Sequence, residues 1–151
     1  MSTYLYLDTE YNGFGGQLIS MALVPVTNNN LVSQPFYEVM ELPDSIDPWV
    51  KINVIPKLRK EPVNNIMFRT KFQRFIFEFV NPIVVFDWYE DFVHFCNQLK
   101  GYDYSSSLNY PFRAHHVCGL PSIKENENTH NALYDATRLW KQCKEANLKF
   151  F

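Results

Sequence analysis

Apolar side chains change period along the chain, and the changes mark its elements. Residues 4–8 alternate aromatic and aliphatic side chains and end on Asp8, the pattern of a buried strand that finishes on a carboxylate. Gly13, Gly15 and Gly16 then supply a turn, and residues 18–25 are a second apolar stretch, so the first 25 residues predict a hairpin. A third strand is expected over 31–40, weakened by Pro35, which has no N–H to give a ladder. Helical spacing follows. A short helix is expected within 48–58, stopping before Pro56. A clearer one spans 69–80, with Phe72, Phe75, Ile76 and Phe79 on one face and Arg69, Lys71, Arg74 and Glu78 on the other. Residues 83–87 read as a short, fully buried strand entered through Pro82, and 91–99 as a helix with Glu90 and Asp91 near its positive end. Residues 101–127 are rich in turn formers and predict no element. Residues 129–147 predict a final helix with Leu133, Ala136, Leu139, Trp140 and Cys143 inward. Three strands, then helices alternating with a further strand, describe an α/β domain whose first three strands are antiparallel and whose later elements cross over through helices. No repeat or boundary divides residues 1–151, which read as a single domain.

Composition adds limits. With 46% hydrophobic and 17% aromatic residues the chain is not disordered, and a domain of this length buries roughly 68–70% of its unfolded surface. No apolar run reaches the roughly 18 residues of a membrane span, and acids at Asp8 and Glu10 interrupt any leader-like start. Cys96, Cys118 and Cys143 are too few and too far apart for a disulfide framework or a zinc motif, so reduced thiols and a cytoplasmic location are expected. The net charge of -2 conceals a polarised chain. Residues 1–50 hold six acids and no Lys or Arg, whereas residues 51–74 hold seven bases and one acid. Such a chain either exposes an ordinary solvated face or holds a polyanion beside an acidic metal site.

The candidate chemistry lies in the acids. Asp8 and Glu10 are two apart on a strand and therefore share a face, where their repulsion needs a cation or hydrogen bonds to offset it. Asp87 ends the later strand and Asp91 opens the next helix, at the sheet edge where α/β sites gather. His130 and Asp135 stand about one and a half turns apart at the start of the last helix. Taken singly, each of these is an ordinary solvated turn or cap.

Together they resemble a known family. Asp-x-Glu on a first strand, an Asp after a later strand and His130-Asn131-Ala132-Leu133-Tyr134-Asp135 on the final helix are similar to the motifs of the DEDDh 3′-to-5′ exonucleases, which have a ribonuclease H-like fold. The narrower likeness is to the small exoribonucleases first described in mycobacteria and also found in phages. It rests on the segment from Trp49 to Leu58 and on Val85-Phe86-Asp87-Trp88-Tyr89-Glu90-Asp91. The resemblance implies that Asp8, Glu10, Asp91 and Asp135 hold two Mg²⁺ or Mn²⁺ ions, with His130 as general base. Asp91 rather than Asp87 falls where the family places its middle ligand. It further implies hydrolysis from a 3′ end with release of nucleoside 5′-monophosphates, the ions lowering the pKa of the attacking water and stabilising the leaving oxygen.

Thr9, Tyr11, Asp87 and Trp88 are the candidate substrate contacts. Tyr11, Phe14, Trp88 and Tyr89 can stack on bases or pack in the core. Lys57, Arg59, Lys60, Arg69, Lys71 and Arg74 can follow phosphates or simply face solvent. His115 and His116 beside Arg113 are expected in a loop or the core. The expected partner is single-stranded or 3′-overhang nucleic acid, RNA before DNA, with no membrane partner, and a homodimer is compatible with the many aromatics. A DNA exonuclease of the proofreading type, a catalytically silent binding module and a hydrolase of small phosphoesters remain as alternatives.

Overall fold

The computed structural model describes residues 1–101, 106 and 108–148. Strand β1 (Tyr4–Tyr11) lies inside a mixed sheet. It pairs antiparallel with β2 (Leu18–Thr27) and parallel with β5 (Ile83–Phe86). Strand β2 also pairs antiparallel with β3 (Asn30–Leu31) and β4 (Phe36–Val39), and β6 (Arg113–His116) lies parallel to β5 at the far side. The sheet order is β3-β2-β1-β5-β6, with β4 beside β3 along β2.

Alternation along β1 decides what each face receives. Leu5 and Leu7 pack with Phe68 and Phe72 of α2 (Asn65–Ile76) and Phe95 of α3 (Tyr89–Gln98). Tyr6 packs with Ala132, Ala136 and Leu139 of α4 (Ala132–Glu145) on the other face. Asp8 and Glu10 share Tyr6's parity and project to the α4 side, while Thr9 projects toward α3. A smaller cluster joins Ile19 and Val39 to Val50 of α1 (Pro48–Asn53) and to Val54 and Leu58 around the 3₁₀ turn Ile55–Lys57.

Several expectations need correction. The third strand is two strands, because Pro35 cannot donate to the ladder and the chain leaves β2 between Leu31 and Phe36. The helix expected within 48–58 ends at Asn53 and passes into the 3₁₀ turn that contains Pro56. The helix expected over 69–80 begins at Asn65, where the Asn64 side chain caps the Met67 N–H at 2.8 Å, and ends at Ile76. Arg69 was expected on its polar face but shares the stripe of Phe72 and Ile76 and is buried, its Nη1 donating to the Gly101 carbonyl at 3.2 Å.

The helix expected from Asp91 starts two residues earlier, at Tyr89, which puts Asp91 in its first turn. Residues 113–116 form β6, a strand without an apolar signature because it lies at the sheet edge and is largely exposed. The rest of the 101–127 expectation includes residues 102–105 and 107, which lie outside the described residues. The last helix starts at Ala132 rather than 129, since Asn131 caps it and His130 has φ +71, outside the right-handed helical range. Among the described residues no helix is long and apolar enough to cross a membrane.

Phe72 is fully buried and edge-on to both Phe36 and Phe95, so it links the sheet to both helices on that face. Phe72→Ala is expected to cost about 3–5 kcal/mol, read as a lower urea midpoint at unchanged m-value.

Candidate active site

Three segments bring acids to one cleft at the carboxyl ends of β1 and β5. Asp8 and Glu10 come from β1, Asp87 follows β5 directly, Asp91 stands in the first turn of α3, and Asp135 in the first turn of α4. Ligand atoms of Asp8, Asp87 and Asp91 lie within 4.8 Å of one another, and so do those of Glu10, His130 and Asp135. Parallel pairing of β1 with β5 produces this, since it sets both carboxyl ends side by side.

The surrounding groups hold these acids in place. Thr9 donates to Asp91 Oδ1 twice, from its hydroxyl at 2.6 Å and its backbone N–H at 3.2 Å, which leaves Asp91 Oδ2 for another ligand. The His130 N–H donates to Asp135 Oδ2 at 2.8 Å, a bond that the left-handed turn at His130 makes possible. Arg138 Nη2 lies 3.3 Å from Asp135 Oδ1 on the next turn of α4, without hydrogen-bond geometry. Lys57 Nζ donates to the Thr129 carbonyl at 2.8 Å, and Asn131 Nδ2 donates to the Lys57 carbonyl at 2.8 Å, so the 3₁₀ turn is tied to the His130 loop from both sides. The edge of one ring meets the face of the other where Trp49 packs on His130, 4.9 Å apart.

Burial and mutual repulsion set the electrostatics. Burial, then the Asp91, Glu10 and Asp135 charges, hold the Asp8 carboxyl well above its ordinary range. Burial and the Asp135 and Asp91 charges push Glu10 up to about 8, against the pull of Lys57 and Arg138. Burial raises Asp91 to about 7 although the Thr9 bonds oppose it. Asp135 is raised by burial, with Arg138 and the His130 N–H opposing. Asp8 Oδ2 and Asp135 Oδ1 are buried without a hydrogen-bond partner among the described residues. With hard oxygen donors, mutual repulsion and orphaned acceptors, these groups could hold a metal ion.

The cleft measures about 720 Å³. Tyr11 and Trp88 line it, as does Thr9, whose hydroxyl is taken up by Asp91. Phe14 is 82% exposed at the rim with its ring edge toward Trp88, so it is not a core residue. Tyr89 is exposed beside Trp88, 5.0 Å ring to ring. Much of the basic segment is engaged within the chain, since Lys60 and Lys71 both pair with Glu38 at 2.9 and 3.1 Å and Lys57 holds Thr129. His116 lies apart from the cleft lining on exposed β6, donating from Nε2 to the Asp87 carbonyl at 3.1 Å.

Sequence reasoning missed Trp49, Glu125, Arg138 and Gln142, all of which line the cleft. Arg138 was findable, being one turn beyond Asp135 on the same helix face. Glu125 and Trp49 were not, because a loop and a distant helix deliver them. Compared with family models and with curated proteins, the chain matches none.

Carboxyls whose folded pKa exceeds the unfolded value of about 4 stabilise the fold below that pH and lose this contribution as pH rises through 7 to 8. Without metal, the melting temperature is therefore expected to fall between pH 5.5 and 8.5, and to fall less in Asp8→Asn. Mn²⁺ is expected to raise it more at the higher pH, because the ligands must be deprotonated, by about 2.7 kcal/mol of stability at a hundredfold excess over Kd. Thermal scans with EDTA and with Mn²⁺ at both pH values check this.

Proposed function

We propose that this protein is a divalent-metal-dependent 3′-to-5′ exoribonuclease of the DEDDh type, on a ribonuclease H-like fold and working in the cytoplasm. The convergence of Asp8, Glu10, Asp91, Asp135 and His130 in one cleft is the observation that carries the reading. The antiparallel β1-β2-β4 pairing, with β5 and β6 parallel to β1, supports the fold part of it. RNA is put before DNA on the likeness of the Trp49–Leu58 segment, whose Trp49 borders the cleft and whose Lys57 braces the His130 loop.

Asp8, Glu10, Asp91 and Asp135 would hold the ions, with Asp87 beside Asp8 on the solvent side. Bound Mg²⁺ or Mn²⁺ would supply Lewis acidity and charge neutralisation at the phosphodiester. His130 would take the proton of the attacking water at Nε2, an atom with no hydrogen-bond partner among the described residues and 3.4 Å from Glu125 Oε1. The exposed Glu125 carboxylate then stabilises the imidazolium. As the new P–O bond forms, the bond from phosphorus to the 3′ oxygen breaks, and that oxygen leaves with a proton from solvent. Thr9 keeps Asp91 oriented, and Arg138 offsets the acids of β1 and α4. Trp88 and Phe14 on one side and Trp49 on the other offer faces for bases, worth about 1–3 kcal/mol each.

5′-Labelled RNA with Mn²⁺ should yield a ladder shortening from the 3′ end with release of 5′-monophosphates. Internal cuts or loss from the 5′ end would overturn the reading, and faster turnover of the matching DNA would reassign the substrate. His130→Ala should lower kcat by roughly 10²–10⁴-fold. Asp91→Asn should abolish activity as Asp8→Asn does, while Asp87→Asn retains it; the reverse would make Asp87 the middle ligand.

A further inference from the structure

The turn between β1 and β2 has two sides. Gly13 and Phe14 line the cleft, whereas Gly15 and Gly16 line a second recess of about 570 Å³. Gly16 can be nothing larger, since a Cβ there would stand 1.9 Å from the Asn12 carbonyl oxygen. The recess is backed by α3, whose Glu90, His94 and Gln98 repeat at four-residue intervals along its buried face. Glu90 Oε1 is occupied by the Gly15 N–H at 2.7 Å. His94 is 9% exposed and Gln98 5% exposed, and both side chains line the recess. Among the described residues neither His94 Nε2 nor Gln98 Oε1 has a hydrogen-bond partner. Both atoms are closed to solvent and costly to leave unpaired, and a turn of each side chain toward the recess would let a ligand there pair with them.

The chemistry of the lining narrows that ligand. Asn65, Asn97 and Gln98 contribute carboxamides, Leu18 and Met40 an apolar floor, and Glu41 and Arg69 opposite charges that leave the lining with no net preference for an ion. Gln98 Oε1 requires a donor, and burial lowers the pKa of His94, so its imidazole is neutral and can accept or donate at Nε2. A flat, neutral heterocycle with an amino group next to a ring nitrogen satisfies all of this. Adenine and cytosine present such an edge and uracil does not, and a single carboxamide bonds the adenine edge bidentately. The recess also shares a wall with the cleft, because the His94 ring packs on Tyr11 with 5.0 Å between centroids.

We propose that the recess formed by the Gly15–Gly16 turn, His94 and Gln98 is a nucleobase-binding site that prefers bases with an amino group beside a ring nitrogen, such as adenine, to uracil, distinct from the carboxylate cleft. The choice of a base as occupant rests on the nuclease reading, but the recess itself does not. The test titrates adenosine and uridine, which carry no phosphate, into the protein in EDTA, by calorimetry and by ¹H–¹⁵N NMR of the Gln98 side-chain amide. Adenosine should bind saturably, shift the Gln98 signal and bind more tightly than uridine. Gln98→Met and His94→Phe, which keep volume and the contact with Tyr11, should each weaken it by roughly tenfold or more. Asp8→Asn should bind adenosine as the wild type does, so a failed nuclease assay leaves this result intact. No saturable binding, equal affinity for uridine, or binding indifferent to both variants would overturn the proposal. In the last case the nucleoside sits in the cleft.

Discussion

Repulsion among carboxylates is the constraint around which this molecule is built. Asp8, Glu10, Asp91 and Asp135 are brought together in spite of their charge, and burial raises the cost of ionising each of them. Only a rigid frame can hold such a set. The frame is β1, paired with β2 along the segment that carries Asp8 and Glu10, anchored to β5 over residues 4–6 and packed on both faces, so that the two acids stay on one face. The compensating groups are local and specific. Thr9 fixes Asp91 from the same strand, the His130 N–H fixes Asp135, and Arg138 and Lys57 supply the nearby positive charge.

The elements outside the sheet serve that cluster. The α1 segment and its 3₁₀ turn add little to the main core, yet Lys57 and Asn131 bind this segment to the loop that presents His130. His130 itself adopts a left-handed backbone, a conformation that costs a non-glycine residue energy and that the surrounding bonds maintain. On the opposite side, the glycine turn bonds to Glu90 and separates the cleft from the second recess. Tyr11 and His94 form the wall between them, which couples the two physically.

The candidate acids were legible before the fold because strand and helix periods constrain direction. Two residues apart on a strand means one face, and an acid just inside a helix start means proximity to the strand end preceding it. That reasoning makes Asp8, Glu10, Asp87, Asp91 and Asp135 candidates only in combination and by their resemblance to a family's motifs, and the cleft gathers all of them. It fails where a signal is absent or masked by tertiary need. Strand β6 has no apolar alternation because it lies exposed at an edge, and its polar residues 113–116 read as loop. Arg69 reads as a surface cation but is buried where its guanidinium can reach the Gly101 carbonyl. Periodicity places the start of α4 too early because it cannot see the positive φ at His130.

By itself the sequence determined most of the strand-helix order, though not β6 or the division between β3 and β4, and the shared face of Asp8 and Glu10, because these follow from short-range periodicity and turn chemistry; the full set of acids came from the resemblance of the segments taken together. Tertiary structure alone decided that the acids meet, that Thr9 is bound to Asp91 rather than open to a ligand, and that Trp49, Glu125 and Arg138 complete the cleft. It also decided that His94 and Gln98 stand unpaired beside a recess. The physical reason is the same in each case. These relations depend on parallel pairing of β1 with β5 and on loops closing over many residues, and a contact between positions 9 and 91 leaves no trace in the spacing around either one.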